Sequence, residues 1–156
     1  MMDRMEKAEK LFESGYNCCQ SVVLAFEDLL DERYRDAAKV ISSGFGGGIG
    51  RMREVCGTVS GMAMVLSLLS GSDCRNDRDA KAGLYESIQK AGKAFEAENG
   101  SVVCRTLLGL DRKMDDPVPS ERTAEYYRKR PCSKLCGSAA AILEGIIEGG
   151  EDGQQA

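Results

Sequence analysis

Histidine is absent from all 156 residues. That absence removes Ser-His-Asp triads, His-activated cysteine nucleophiles, imidazole metal ligands and haem attachment through a Cys-x-x-Cys-His sequence. No Cys-x-x-Cys occurs either, which weighs against a thioredoxin-type pair and a zinc ribbon. Tryptophan is missing and aromatic residues make up only 6%, so the core has to be aliphatic. No long apolar run survives inspection: the longest, around Val55 to Leu69, is interrupted by Gly57, Thr58, Ser60, Gly61 and Ser67. It suits a buried helix, and no membrane insertion is expected. Excess positive charge is lacking too, since the formal net charge is -4, so nucleic acid is not an expected partner. The N-terminal Met-Met-Asp-Arg-Met-Glu-Lys carries no apolar secretory segment, and the expectation is a cytoplasmic protein.

With 42% hydrophobic and 29% charged residues, the composition is that of an ordinary globular chain, long enough for one domain with a sizeable core. Apolar residues recur at helical spacing nearly throughout, and no segment alternates long enough to require a strand. Met5, Ala8, Leu11 and Phe12 mark a first helix, and Asn17 is placed to cap a second bearing Val22, Val23, Phe26, Leu29 and Leu30. Tyr34 to Ser43 reads as a third. The run Phe45-Gly46-Gly47-Gly48-Ile49-Gly50 reads as a loop before a central helix starting at Glu54. A long amphipathic segment from Asp79 to Glu98, a short helix opened by Ser101 and a last helix from Pro131 complete the pattern. The fold class expected is all-α: a single-domain bundle of five to six helices over residues 1–148, with a flexible tail over residues 149–156.

Seven cysteines is a high count, and an odd one, so free thiols or thiolates are expected rather than a disulfide framework. Cys18, Cys56, Cys104 and Cys132 fall at predicted helix starts, where unpaired N–H groups and the helix dipole favour a thiolate. If those starts converge, two of the four can interconvert with a disulfide, or all can ligate a metal. Against this stands the tendency of free cysteine to behave as a small buried hydrophobe, the reading kept for Cys74 and Cys136. Cys19 stays open, because adjacent cysteines point in different directions.

The glycine run follows a helix, lacks a third glycine at Arg53 and has no Gly-Lys-Ser/Thr, so dinucleotide and P-loop readings are poor. Two readings remain for Gly46, Gly47, Gly48 and Gly50: close passage beneath another helix or a positive φ, or an anion or substrate pocket formed with Arg51, Arg53 and the Cys56 helix start.

Five pieces in order, Gly15-Tyr16-Asn17-Cys18, the Phe45 to Gly50 run, Cys56-Gly57-Thr58-Val59-Ser60-Gly61, Cys104-Arg105-x-Leu107-Leu108-Gly109 and Pro131-Cys132, resemble the C_GCAxxG_C_C family of redox-active proteins over about residues 5–148. The resemblance implies a small helical protein whose four hallmark cysteines are Cys18, Cys56, Cys104 and Cys132. Thr58 stands where the family usually has Ala. A similar domain is associated with an iron–sulfur cluster in a cytochrome relative, so the resemblance also implies that four such cysteines can hold a cluster or another thiolate-bound metal. The leading expectation is thiol/disulfide exchange or electron transfer with an unknown redox partner or small molecule. A metal-binding module and a non-enzymatic helical interaction protein, in homodimer form, are the alternatives.

Overall fold

A computed structural model describes residues 1–154, with side chains described through residue 150. Helix α1 spans Arg4–Glu13, capped by Asp3, whose side chain accepts from the Glu6 N–H. Helix α2 spans Cys18–Ala25 and opens on a capping box: the Asn17 side chain accepts from the Gln20 N–H, and the Gln20 side chain accepts from the Asn17 N–H. A 3-10 turn at Glu27–Leu29 takes up the rest of the expected second helix. Helix α3, Glu32–Ile41, starts on the Asp31 cap and leads into a 3-10 turn at Ser42–Phe45.

The glycine run is not an open loop. It forms a tight coil, Gly46–Ile49, labelled α4, that winds with positive φ at Gly47, Gly48, Ile49, Gly50 and Arg51, and again at Arg53. This is the left-handed region, which glycine enters without steric penalty and other residues rarely do. The central helix α5 spans Gly57–Ser70, three residues later than expected, with Cys56 as its N-cap and Gly71 closing it at φ 65°. Helix α6 covers Arg78–Asn99 and ends at Gly100.

Helix α7 is a single turn, Cys104–Leu107, and Ser101 does not open it. Val103 is extended instead, after a bend at Val102, and forms an isolated antiparallel bridge with Val55. Helix α8 spans Ala124–Lys129, with Thr123 as its cap. Helix α9 runs Cys132–Gln154, so the expected tail is helical to residue 154, while residues 155 and 156 lie outside the described residues.

Among the described residues, six helices of eight or more residues make the bundle expected from the periodicity. Helix α1 lies along α9, and α2 is enclosed by α1, α5 and α9, with α6 behind α5 and α9. Phe12, Val22, Phe26, Met62, Val65, Phe95 and Leu143 fill the interior. Each such side chain, fully buried, contributes about 1.5–3 kcal/mol. Close packing of α2 on α5 depends on two glycines one turn apart: a Cβ at Gly57 would overlap the Cys18 sulfur, and one at Gly61 would sit 2.9 Å from Val22 Cβ. The Cys-Gly-x-x-x-Gly spacing is thus a helix-contact device as well as a cysteine motif.

Candidate functional site

Each of the four cysteines singled out by position sits at a helix start in the structure. Cys18 opens α2, Cys104 opens α7, Cys132 opens α9, and Cys56 caps α5. All four line one cavity of about 330 Å³. Cys19, Cys74 and Cys136 do not line it; they are buried elsewhere, Cys19 against the Met64 sulfur at 3.7 Å and Cys136 beneath the Cys18 carbonyl at 3.8 Å.

Local structure explains how chain segments so distant in sequence meet. The Asn17 amide donates to the carbonyls of Ser42 and Ser43, tying the start of α2 to the end of α3. Gly46 packs on that same Asn17, where a Cβ would come within 2.7 Å of Asn17 Cβ. The Val55–Val103 bridge aligns the other two segments: the Cys56 N–H donates to the Val102 carbonyl at 2.8 Å, and the Cys104 N–H to the Glu54 carbonyl at 2.6 Å. Strand alternation then puts Cys56 and Cys104 on the same face, opposite to Val55 and Val103. Both side chains reach the cavity from these paired segments. Gly48 lies under Cys104, and a Cβ there would meet both Cys104 Cβ and the Glu54 nitrogen at 2.7 Å.

Gly46, Gly47, Gly50, Arg51 and Arg53 also line the cavity, whereas Gly48 is buried behind it. Arg53 is 4% exposed. Its Nε donates to Asp115 at 2.8 Å, and its Nη1 lies 3.7 Å from Cys104 Sγ. Asp115 belongs to the irregular connection after α7, whose Pro117, Pro119 and Ser120 close one side of the cavity.

Sequence reasoning missed three contributors. Arg122 reaches across to donate to the carbonyls of Phe12 and Tyr16 while its guanidinium stacks on Phe12, Tyr126 and Tyr127. Arg130 lies 5.5 Å over the Tyr126 ring. The Thr58 hydroxyl is 3.1 Å from Cys56 Sγ. Thr58 had stood out only as a departure from the usual Ala, and the two arginines carried no local signal.

The expected thiolate activation is opposed by burial. Desolvation is the largest influence on Cys18 and pushes its thiol up, partly countered by the Gly47 N–H. Burial, then the neighbouring Cys18, push Cys56 up to about 12, with the Thr58 hydroxyl acting in the opposite sense. Cys132 is likewise pushed up to about 12 by burial and then Cys18, with Arg130 pulling down. At neutral pH these three are thiols: removing a charge from water costs more here than the helix start returns.

Among the described residues, no three His, Cys, Asp or Glu side chains gather closely enough to hold one metal ion. The four sulfurs surround the cavity rather than converge on a point. No helix among the described residues is long and apolar enough to cross a membrane.

Comparison with curated proteins and with solved structures finds no match. A family model does match, over residues 16–146, which takes in all four cavity cysteines and the glycine coil. The match begins after α1, which the resemblance in the sequence had included from about residue 5. Its description is "putative redox-active protein (C_GCAxxG_C_C)", and on a match of that extent the chain belongs to this family.

Proposed function

We propose that the protein is a thiol-based redox protein in which Cys56 and Cys18 pass between dithiol and disulfide at the cavity. The observation that carries this reading is the partition of the cysteines: four line a single cavity and three lie away from it. Cys18 is the partner favoured for Cys56, because its sulfur rests against Gly57, the next residue in the chain. Oxidation removes two electrons and two protons from the pair, and a small-molecule disulfide accepts both as two thiols. Burial keeps the resting pair protonated, so the attacking sulfur gives up its proton as substrate arrives.

The test is a thiol count on anaerobically reduced protein before and after bis(2-hydroxyethyl) disulfide, with peptide mapping. The count should fall from seven to five, with Cys18 joined to Cys56. Seven thiols unchanged by the oxidant, all alike and titratable only after denaturation, would refute the reading.

A second reading is an iron–sulfur site. The donor chemistry fits a multinuclear group better than a single ion: among the described residues, four thiols line a cavity with arginines and no carboxylate on its wall, suited to the net negative charge of a thiolate-bound cluster. Cys18, Cys56, Cys104 and Cys132 would hold it, and it would supply one-electron transfer. Iron analysis and an absorbance spectrum of anaerobically purified protein decide the matter; a colourless sample without iron discards it.

A further inference from the structure

Among the described residues, the cavity wall carries four arginines, Arg51, Arg53, Arg122 and Arg130, and no aspartate or glutamate. Three of these cations have employment inside the fold. Arg53 holds Asp115, and Arg122 is spent on backbone carbonyls. Arg51 donates through Nε to the Asp116 carbonyl at 2.7 Å and lies 3.8 Å from the Asp115 carboxylate. That single carboxylate also faces Arg112, so three guanidiniums share one negative charge.

Arg130 differs. Among the described residues its side chain has no ion pair and no hydrogen bond, and its one contact of note is the face of Tyr126. It is half-buried at the cavity, two positions before Cys132. A guanidinium held over an aromatic face keeps its N–H edge free, and that edge matches a carboxylate in bidentate geometry. A wall with surplus positive charge and no competing acid raises the local concentration of anions.

We propose that the substrate of the cysteine site is a small carboxylated disulfide, its carboxylate taken by Arg130 and its sulfurs presented to the thiols; this rests on the thiol-redox reading above. In the reaction, one protein thiol loses its proton and attacks the substrate S–S bond, forming a mixed disulfide and releasing one carboxylated thiol, which takes up that proton. The second protein thiol displaces the other half in the same way. The balance is protein dithiol plus R–S–S–R giving protein disulfide plus two R–SH.

Three disulfides of similar size separate charge from reactivity: dithiodiglycolate, bis(2-hydroxyethyl) disulfide and cystamine. Each rate with the full-length reduced protein is divided by the rate with free 2-mercaptoethanol. The normalised order should be anion, neutral, cation, with about tenfold preference for the anion over the neutral compound at low salt, shrinking as salt is added. Arg130→Gln should raise KM for dithiodiglycolate about tenfold, as expected for losing one charge-assisted contact, and far more than it raises KM for the neutral compound. Arg130→Lys should recover part of the loss, and Arg128→Gln, on the exposed side of α8, should change nothing. An equal or reversed order would overturn the proposal. If no disulfide is consumed, the redox reading falls, and calorimetry with the unreactive thioether thiodiglycolate still decides the anion site. Binding that weakens in Arg130→Gln upholds it, and no binding to the unmodified protein refutes it.

Discussion

Arg53 Nη1 lies 3.7 Å from Cys104 Sγ, which makes Cys104 the cavity cysteine in contact with a buried guanidinium. The same guanidinium holds Asp115 at 2.8 Å, so one side chain joins the thiol site to the connection that walls it.

The carboxyl of Asp115 is held below its ordinary value of 3.8, first by the hydrogen bond from Arg53 and then by the charges of Arg53 and Arg112. A depressed value in the folded state means that this contribution is present above the ordinary value and lost as pH falls through the folded one. Asp115→Asn should therefore melt below the unmodified protein at pH 7, and the gap should narrow on acidification below about pH 4. Melting curves across that range check it; a gap of constant size would show that the ion pair is not the source.

Gly57→Ala puts a methyl group on the Cys18 sulfur and 2.9 Å from the Phe45 carbonyl oxygen. The expected loss is about 1–3 kcal/mol, typical of overpacking between elements that cannot separate. Gly83→Ala, in α6 with open space at its Cβ, should instead stabilise by about 0.5–1 kcal/mol. Chemical denaturation of the pair tests whether α2 and α5 touch as described. Loss of similar size in both would contradict it.

Cys132 is half-buried with its thiol pushed up to about 12. Its alkylation by iodoacetamide in the folded protein should rise about tenfold per pH unit from pH 7 to pH 10, because the thiolate fraction does so below the pKa. A plateau near pH 9, as for a free thiol, would contradict the burial argument; timed labelling with peptide mass spectrometry distinguishes the two. The linked effect on stability has a definite sign. Above the ordinary value of 9.0, unfolded Cys56 and Cys132 release protons that the folded protein retains, so stability falls as pH rises from about 9 toward 12.

Removing Arg122 deletes two bonds to backbone carbonyls of residues 12 and 16 and a stack on three rings. Arg122→Ala should cost about 2 kcal/mol or more, and Arg122→Lys should restore little, since an ammonium cannot lie flat between the rings and reach both carbonyls. Thermal melts of the two variants decide it.

The helices were legible in the sequence because apolar spacing and caps such as Asn17, Gly71 and Gly100 act locally. What escaped depended on contacts distant in the chain. Ser101 looks like a helix cap, yet its hydroxyl accepts from the Val103 N–H, and Val102, Cys104 and Arg105 pair with the 53–56 segment. The glycines of residues 46–50 announced close passage or positive φ, but not the neighbours involved, Cys104 and Asn17. Thiolate activation was inferred from position alone, whereas the proton affinity follows from burial, which position does not report. Arg122 and Arg130 lay in a stretch without periodicity, and nothing local distinguishes a cavity arginine from a surface one.

Ile49, Arg51 and Arg53 occupy backbone that a β-carbon resists by about 1–2 kcal/mol per residue. Glycine at position 49 would relax the coil and leave the cavity's charge intact, so a more heat-resistant protein of undiminished chemistry is accessible there. At positions 51 and 53 the same exchange would remove a guanidinium bonded to Asp116 or to Asp115, so there the side chain offsets the strain it imposes. A library selected only for melting temperature would accordingly exchange Ile49 and keep both cations in the wall.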